Sequence, residues 1–390
     1  MPNLFDLIKT SLYIGFTGYG GPAILAHMKS IFVKKKNWVT EKEFMDGLSL
    51  AQLLPGATGV TLMGYLGFRL KRFRGAFLLP AMFALPAFIF MTVLSWAYFQ
   101  FGELPFVKTL FAGLGALVVA LLVNAIRTLG KAVYPKWSWQ NIRPAIISFV
   151  AFVALFVFKL NIVYVISLSA LLGIVLFYKK TGITQPIDVK IEKTEILKWS
   201  DYLPIILLIA TFMVFLISPV RELMLTFMKI GMLAFGGGFT SIPLMQSEIV
   251  DKLHILSLTQ FRDGIAMGQI TPGPVLITAT FVGFKTLGLF GAMGATFGIF
   301  MPSLIAVLFL AKFHSIVKDH PVTRSMIRGL LAGFIGLLFA TTITFGLHSL
   351  VSWQTCGIFI LDLIILVGLK KDPLWAILAS LLLSMLLLPL

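Results

Sequence analysis

The fold is decided by the stretch FMDGLSLAQLLPG at residues 44–56, because its pattern of polar, Gly and Pro residues recurs as FRDGIAMGQITPG at residues 261–273. Phe, Asp, Gly, Gln, Pro and Gly keep their type and spacing in the two copies, while the positions between them vary. Pro and Gly interrupt helices, so both copies predict a helix break at the same place in an apolar segment. The chain is interpreted as an internal duplication.

The flanks of the two stretches extend this repeat. Upstream, Gly15, Gly20 and Gly21 recur 216 residues later as Gly231, Gly236 and Gly237. Downstream, the same offset of 216 relates Arg69, Gly75, Ala76 and Pro86 to Lys285, Gly291, Ala292 and Pro302. The repeat therefore covers most of each half of the chain.

The composition is typical of a membrane protein. The chain is 58% hydrophobic and 12% charged, with a mean hydropathy of +0.96. Apolar stretches of about 20 residues, the length that crosses a bilayer, recur along it. Residues 1–10 lack the pattern of a cleavable signal peptide. The single cysteine, Cys356, excludes an intrachain disulfide.

The net charge of +16 would suggest a nucleic-acid partner in a soluble protein. In a membrane protein it is better explained by basic cytoplasmic loops, and a positive field can also attract an anionic substrate. We therefore expect the lipid bilayer and a small anion as partners, and no nucleic acid. A homodimer is compatible with the sequence.

Thirteen apolar segments are predicted in the order six, one, six. The sequence divides into a first transmembrane repeat at 1–178, a polar linker with one extra segment at 179–220, and a second repeat at 221–390. A single extra crossing turns the second repeat upside down relative to the first. The predicted fold is an all-α polytopic membrane protein with inverted-topology repeats, a plan that secondary transporters use.

Loop charges predict the orientation. With a cytoplasmic N-terminus, the basic loops 69–74, 127–143, 179–198, 312–328 and 370–371 all lie inside. The basic loop from Lys29 to Lys42 would lie outside if the first segment crossed fully. It stays inside if the first two segments are re-entrant or broken helices that begin and end on one side. By repeat symmetry, the matched segments of the second half would then be re-entrant from outside.

The breaks predict a substrate site. Freed backbone groups are tolerated in a membrane only when they are buried in protein or line a wet cavity, and helix N-termini favour anions. Gln52 and Gln269 lie one turn before the matched prolines, where an amide can donate to an oxyanion. Kinks and helix-crossing points remain the alternative interpretation of the breaks, and a helix–helix hydrogen bond that of the glutamines. The substrate-binding candidates are Gly20, Gly21, Pro22, Gln52, Pro55, Gly56, Gly236, Gly237, Gly238, Gln269, Thr271, Pro272 and Gly273.

Several ionisable residues are candidates for anion attraction or coupling. Asp46 and Asp263 are interpreted as helix N-caps, as partners of the matched cations Arg69 and Lys285, or as proton carriers. The two cations can instead anchor segment ends. An ionisable residue in mid-membrane is a functional hypothesis by default. The remaining candidates of this kind are Glu248, His27 and Asp362.

Catalytic and cofactor motifs are missing from the sequence. It contains no phosphate-binding loop, no cluster with metal-ligand spacing and no nucleophile motif with a base. We therefore predict no cofactor, no metal and no catalytic residue, and a membrane enzyme is a poor second interpretation.

The motifs resemble those of the chromate ion transporter (CHR) family, in its two-domain form. The first half carries Gly-Gly-Pro at 20–22 and Pro-Gly at 55–56; the second carries Gly-Gly-Gly at 236–238 and Pro-Gly-Pro at 272–274. Ala57 departs from the family pattern, which commonly has Pro there. The resemblance implies chromate export across the cell membrane, with sulfate as a competing tetrahedral dianion. A transporter or channel for another small anion or polar solute fits the same residues.

Overall fold

The computed structural model describes residues 2–19, 21–134, 142–178, 199–310 and 320–388. The secondary structure of these residues is helical, without a strand. The predicted linker at 179–198 and the candidate Gly20 lie outside them. The prediction of an all-α protein is confirmed.

Seven helices are described in the first half of the chain. The first, second and third run over α1 Leu4–Thr17, α2 Gly21–Lys29 and α3 Glu41–Leu53, with a π-helical turn at Ser30–Lys35 after α2. They are followed by α4 Thr58–Phe101, α5 Pro105–Val133, α6 Ile142–Phe156 and α7 Ile162–Phe177. A single helix, α8 Trp199–Leu216, then connects the halves.

Among the described residues of the second half, seven further helices repeat this order. They are α9 Arg221–Leu233, α10 Ser241–Met245, α11 Leu258–Ile270, α12 Thr278–Leu310, α13 Pro321–Ser349, α14 Trp353–Leu363 and α15 Pro373–Leu387. A π-helical turn follows α10 at Gln246–Lys252, as one follows α2. Positive φ angles recur at matched residues too, since Asn37 and His254 both have a φ of 51°. The duplication seen in the sequence is therefore also present in the backbone.

The helix that follows the repeated stretch 44–56 folds back on it. Glu43 at the start of α3 forms an ion pair of 2.8 Å with Arg69 in α4, and the Gly47 backbone lies against the Tyr65 ring. In one continuous helix Glu43 and Arg69 would be about 39 Å apart. The chain from α3 into α4 is therefore a hairpin with its tip at Pro55–Gly56. Gly264 against the Phe281 ring shows the same hairpin in the second repeat.

Each long helix α4 and α12 also reverses direction once. In α4 the backbone leaves helical geometry at Lys71 and Arg72, and Gly67 and Gly75 touch so closely that a Cβ on either would overlap the other's carbonyl. In α12 the break lies at Leu287 and Gly288. The limb 58–70 is only about 20 Å long, whereas the limb 73–101 is about 43 Å long and exceeds the bilayer's hydrocarbon core.

The two repeats interlock. Helix α5 of the first repeat packs against α14 and α15, and α13 of the second packs against α6 and α7. Small residues allow this contact, as where Gly173 meets Gly329 and where Ser148 donates to the Ala332 carbonyl at 2.6 Å. Close backbone approach of this kind is how membrane helices associate without a hydrophobic driving force between them.

In the part of the chain that the structure describes, four helices are long and apolar enough to cross a membrane: Thr58–Phe101, Pro105–Val133, Val275–Leu308 and Pro321–Ser349. The shorter apolar helices are 142–156, 162–177, 202–216, 353–368 and 373–387. Large apolar side chains remain exposed on their outer surfaces, such as Phe149 and Tyr164. This is the surface of a polytopic membrane protein.

Candidate substrate site

Two backbone hydrogen bonds join the breaks of one repeat to those of the other. The Gly56 N–H donates to the Ala234 carbonyl, and the Gly273 N–H donates to the Gly18 carbonyl, both at 2.8 Å. The two bonds are equivalent in the repeat, because Gly273 matches Gly56 and Ala234 matches Gly18. Each Pro-Gly break is therefore paired with a Gly-rich break of the opposite repeat.

Gly56 and Gly273 are glycines for a physical reason. Their φ angles of 99° and 114° lie in a region that favours glycine. A Cβ on Gly56 would collide with the Ser303 hydroxyl, and a Cβ on Gly273 would lie 2.8 Å from the Ala87 Cβ. Positions 87 and 303 match each other in the repeat, so the same contact occurs once at each Pro-Gly break. Ser303 also donates to the Pro55 carbonyl at 3.1 Å.

The two pairs of breaks touch each other. A Cβ on Gly238, in the second Gly-rich break, would lie 2.7 Å from the Val275 Cβ. Val275 follows Gly273 and Pro274 directly, so this contact joins the Pro-Gly break that bonds Gly18 to the Gly-rich break that bonds Gly56. The structure thus brings together the four breaks that the sequence singled out.

Gln269 and Gln52 lie in different surroundings although they match in the repeat. Gln269 is 8% exposed, and its Nε2 has no hydrogen-bond acceptor among the described residues. Gln52 is exposed. A buried amide donor without an acceptor costs free energy, so Gln269 can take an anionic oxygen at little further desolvation cost.

The remaining candidates at the breaks differ in what they can offer. The Thr271 hydroxyl donates to the Met267 carbonyl at 2.8 Å. Gly237 has a φ of 111° and open space around its Cβ position, whereas Gly236 faces Leu331. Gly21 begins α2. Since the Gly56 and Gly273 N–H groups are engaged between the repeats in this conformation, Gln269 and helix N-termini are the donors left for an anion.

The N-cap interpretation of Asp46 and Asp263 is wrong. Helix α3 is capped by Thr40 and α11 by Ser257, each in a capping box with the residue three positions on. Both aspartates lie in the second turn, beyond the reach of a cap.

The predicted pairing of Asp263 with Lys285 is also corrected. Asp263 is 4% exposed and accepts hydrogen bonds from Arg262 at 2.9 Å and from Tyr98 at 2.8 Å. Lys285 instead lies 5.0 Å from the centre of the Phe99 ring. Arg69 pairs with Glu43, and the hydrogen bonds from Arg69 and from the Thr40 backbone hold the pKa of the Glu43 carboxyl below its usual range.

Two further candidates have defined partners. His27 lies 3.0 Å from the Thr17 hydroxyl beside the first break. Glu248 is buried and forms ion pairs with Lys229 at 2.5 Å and Lys252 at 3.5 Å.

Asp362 is fully buried between α14 and α15. Its Oδ2 accepts a hydrogen bond of 2.8 Å from Ser380, and its Oδ1 has no partner among the described residues. Asp362 lies on a different helix from any of the four breaks.

Tyr98, Arg262 and Ser303 are functional candidates that the sequence did not single out. Arg262 is 8% exposed, and its matched residue is Met45. A search for identities between the repeats passes over Arg262, because the matched residue differs. The signal that could have found it is a charged arginine at a position where the first repeat has an apolar residue.

Comparison with known proteins gives a family match in each half of the chain. The description "Chromate transporter" belongs to the family that matches residues 5–174 and 221–385, which leaves out the linker and α8. The chain belongs to the chromate transporter family. Because this is a transporter family and the chain has a series of apolar helices, the protein is a multi-pass membrane transporter.

Individual relatives cover the chain to different extents. An uncharacterized transporter of Methanocaldococcus jannaschii is 34% identical over 99% of this chain and 95% of its own length. A chromate transport protein of Cupriavidus metallidurans is 29% identical over 94% of this chain and 89% of its own. The uncharacterized transporter YwrA of Bacillus subtilis is 28% identical over 43% of this chain and 96% of its own. No solved structure matches the chain.

The inter-repeat contact at Gly273 is testable by comparing Gly273→Ala with Gly237→Ala. Both glycines have a φ above 110°, so both substitutions strain the backbone by about 1–2 kcal/mol. Only Gly273 packs against the other repeat, where overpacking adds about 1–3 kcal/mol. We expect a clearly lower thermal unfolding temperature for Gly273→Ala than for Gly237→Ala in detergent. Equal unfolding temperatures would contradict the close contact.

Proposed function

We propose that this protein is a secondary active transporter that exports chromate from the cytoplasm, with sulfate as a competitor. The proposal rests chiefly on the meeting of the four helix breaks and on Gln269, which lies one turn before one of them. The buried amide donor of Gln269 has no acceptor among the described residues. A tetrahedral oxyanion supplies several acceptors, and hydrogen bonds to a charged partner are stronger than neutral ones. The chromate transport proteins among the relatives support chromate as the oxyanion.

Transport requires that the site open to each side in turn, and the proposed inverted repeats supply that property. Suppose that the hairpins α1–α2 and α3–α4 are re-entrant and that the limb 73–101 and helices α5 to α8 each cross once. These five crossings place the corresponding hairpins of the second repeat on the opposite side. The basic loop from Lys29 to Lys42 is then cytoplasmic, as the loop charges favour.

This orientation is testable with single cysteines at matched positions in a Cys356→Ser chain. Lys35 and Lys252 are matched by the offset of 217 and both are exposed. With the protein in the cell membrane, we expect a membrane-impermeant maleimide to label Lys252→Cys in intact cells and Lys35→Cys only after permeabilisation. Labelling of both from the same side would exclude inverted repeats.

Flux measurements test the substrate and the mechanism. The purified protein is reconstituted into liposomes, and chromate and sulfate fluxes are measured with imposed pH and voltage gradients. We expect protein-dependent chromate flux that sulfate inhibits, that a gradient drives, and that counterflow stimulates. Flux without counterflow stimulation would favour a channel. No flux of either anion would contradict the substrate assignment.

Gln269 and Gln52 give a prediction about the site itself. Loss of one hydrogen bond to a charged ligand costs about 1.5–3 kcal/mol, so Gln269→Ala should weaken oxyanion binding by roughly ten- to a hundredfold. Gln52→Ala should have a smaller effect, because that side chain is exposed and not buried. Binding of chromate to purified protein, measured by calorimetry, checks both variants. Wild-type affinity in Gln269→Ala would make this glutamine a packing residue.

Channels and transporters for other small anions share these features. Backbone and amide donors recognise any small oxyanion, and the geometry at the breaks does not by itself select chromate over sulfate. A membrane enzyme has less support, because the candidate site of the described residues holds no nucleophile with an adjacent base.

A further inference from the structure

A cleft of about 530 Å³ lies at the start of α11, about two helical turns from the breaks. It is bounded by the end of α4, the start of α5, the limb break of α12 and the end of α13. We call it the α11 cleft and define it by six lining residues: Lys108, Gln260, Arg262, Asp263, Lys285 and His348. A shallower depression lined by residues 216–222 lies elsewhere, between α8 and α9.

The Lys and Arg side chains that line the α11 cleft outnumber its carboxylates by one. Its two carboxylates are both neutralised, Glu103 by Lys108 at 2.7 Å and Asp263 by Arg262 at 2.9 Å. Lys285 forms no ion pair with a carboxylate of the described residues, and its Nζ faces the Phe99 ring. The cleft therefore carries a net positive charge centred on Lys285.

Comparison of the two repeats explains why Lys285 has no carboxylate partner among the described residues. There the matched cation, Arg69, pairs with Glu43, which is the third residue of its capping box. In the second repeat the capping-box residue is Gln260, a neutral amide. Gln260 keeps the hydrogen bond to the helix cap at 3.2 Å without supplying a charge. The replacement preserves the helix start and leaves Lys285 available to an anion.

A seam of contacts leads from the α11 cleft to the breaks. Tyr98 bonds Asp263 at the cleft, and the Thr271 hydroxyl lies 3.8 Å from the Met91 sulfur further along. Beyond them, Ala87 meets Gly273 at the break. From Asp263 to Thr271 the helix rises by about 12 Å. The cleft and the breaks therefore lie along one interface between α4 and α11.

We propose that the α11 cleft is a second anion site, in which Lys285 and Gln260 hold a hydrated tetrahedral oxyanion on its way to or from the breaks. The inference rests on the proposed oxyanion transport for its ligand. In the orientation proposed above, Glu103, Lys285 and His348 all lie at the external face. The site then sits at the outer mouth of the pathway, while the matched position of the first repeat is closed by the Arg69–Glu43 pair.

The test measures the local potential of the cleft without using transport. Thr259 lines the cleft and is exposed, so Thr259→Cys in a Cys356→Ser chain gives one reporter thiol. Anionic and cationic methanethiosulfonates of similar size are reacted with detergent-solubilised protein at low ionic strength, with and without sulfate. A unit charge about 7 Å away in water changes the local concentration of a monovalent ion by roughly threefold.

We expect the anionic reagent to be favoured and sulfate to slow its reaction at constant ionic strength. Lys285→Gln and Gln260→Glu should each shift the ratio of the two rates several-fold towards the cationic reagent and abolish protection by sulfate. Gln260→Glu recreates in the second repeat the ion pair of the first. Lys285→Arg should keep both effects. Glu43→Gln, the matched change in the first repeat, should leave the ratio at Thr259→Cys unchanged.

Two outcomes would overturn the inference: a rate ratio that Lys285→Gln and Gln260→Glu leave unchanged, or a wild-type cleft in which sulfate gives no protection. The result is independent of the flux measurements. Protection by sulfate without any protein-dependent flux would retain the cleft site and contradict transport. Flux with no protection would contradict the cleft site and retain transport.

Discussion

The structure depends on one constraint, that peptide groups released from a helix in apolar surroundings must find new partners. Each repeat has one Gly-rich break and one Pro-Gly break, and each of them leaves a backbone group that is bonded outside its own repeat. The bonds from Gly56 to Ala234 and from Gly273 to Gly18 solve this across the repeats. Because each repeat supplies what the other lacks, neither half has a complete centre by itself. The packing shows the same dependence, because α5 of the first repeat packs against the second and α13 of the second packs against the first.

This constraint also places the candidate site. A bond that joins two repeats is a point where they can separate, since water or an anion can take over a backbone donor that protein otherwise satisfies. Near the breaks, Gln269 has a buried amide donor without an acceptor among the described residues. Charge lies outside the centre, in pairs such as Arg69–Glu43 and in the cleft around Lys285. In the function that we propose, attraction of an anion and recognition of it are separated along α11, which limits the desolvation of charge in the membrane.

The sequence predicted the elements well where backbone chemistry dominates. Pro55–Gly56 and Pro272–Gly273 predicted helix breaks, and breaks lie there, because neither residue type continues a helix easily. The prediction was wrong for Asp46 and Asp263, where a short polar side chain near a helix start was interpreted as a cap. The caps are Thr40 and Ser257, and their capping boxes are readable in the sequence. Repeat identity drew attention to the aspartates instead, although identity between repeats does not distinguish a cap from a buried ion pair.

By itself the sequence determined the class of protein, the duplication and the positions of the breaks, because hydropathy, Pro and Gly act locally. Tertiary structure alone decided which breaks meet, since the bond from Gly56 to Ala234 joins residues 178 positions apart. It also decided that Gln269 is buried while Gln52 is exposed, and that Asp263 bonds Tyr98 and Arg262 while Lys285 faces an aromatic ring. These differences arise between residues of matched type, because burial and partners depend on what the other repeat brings against them.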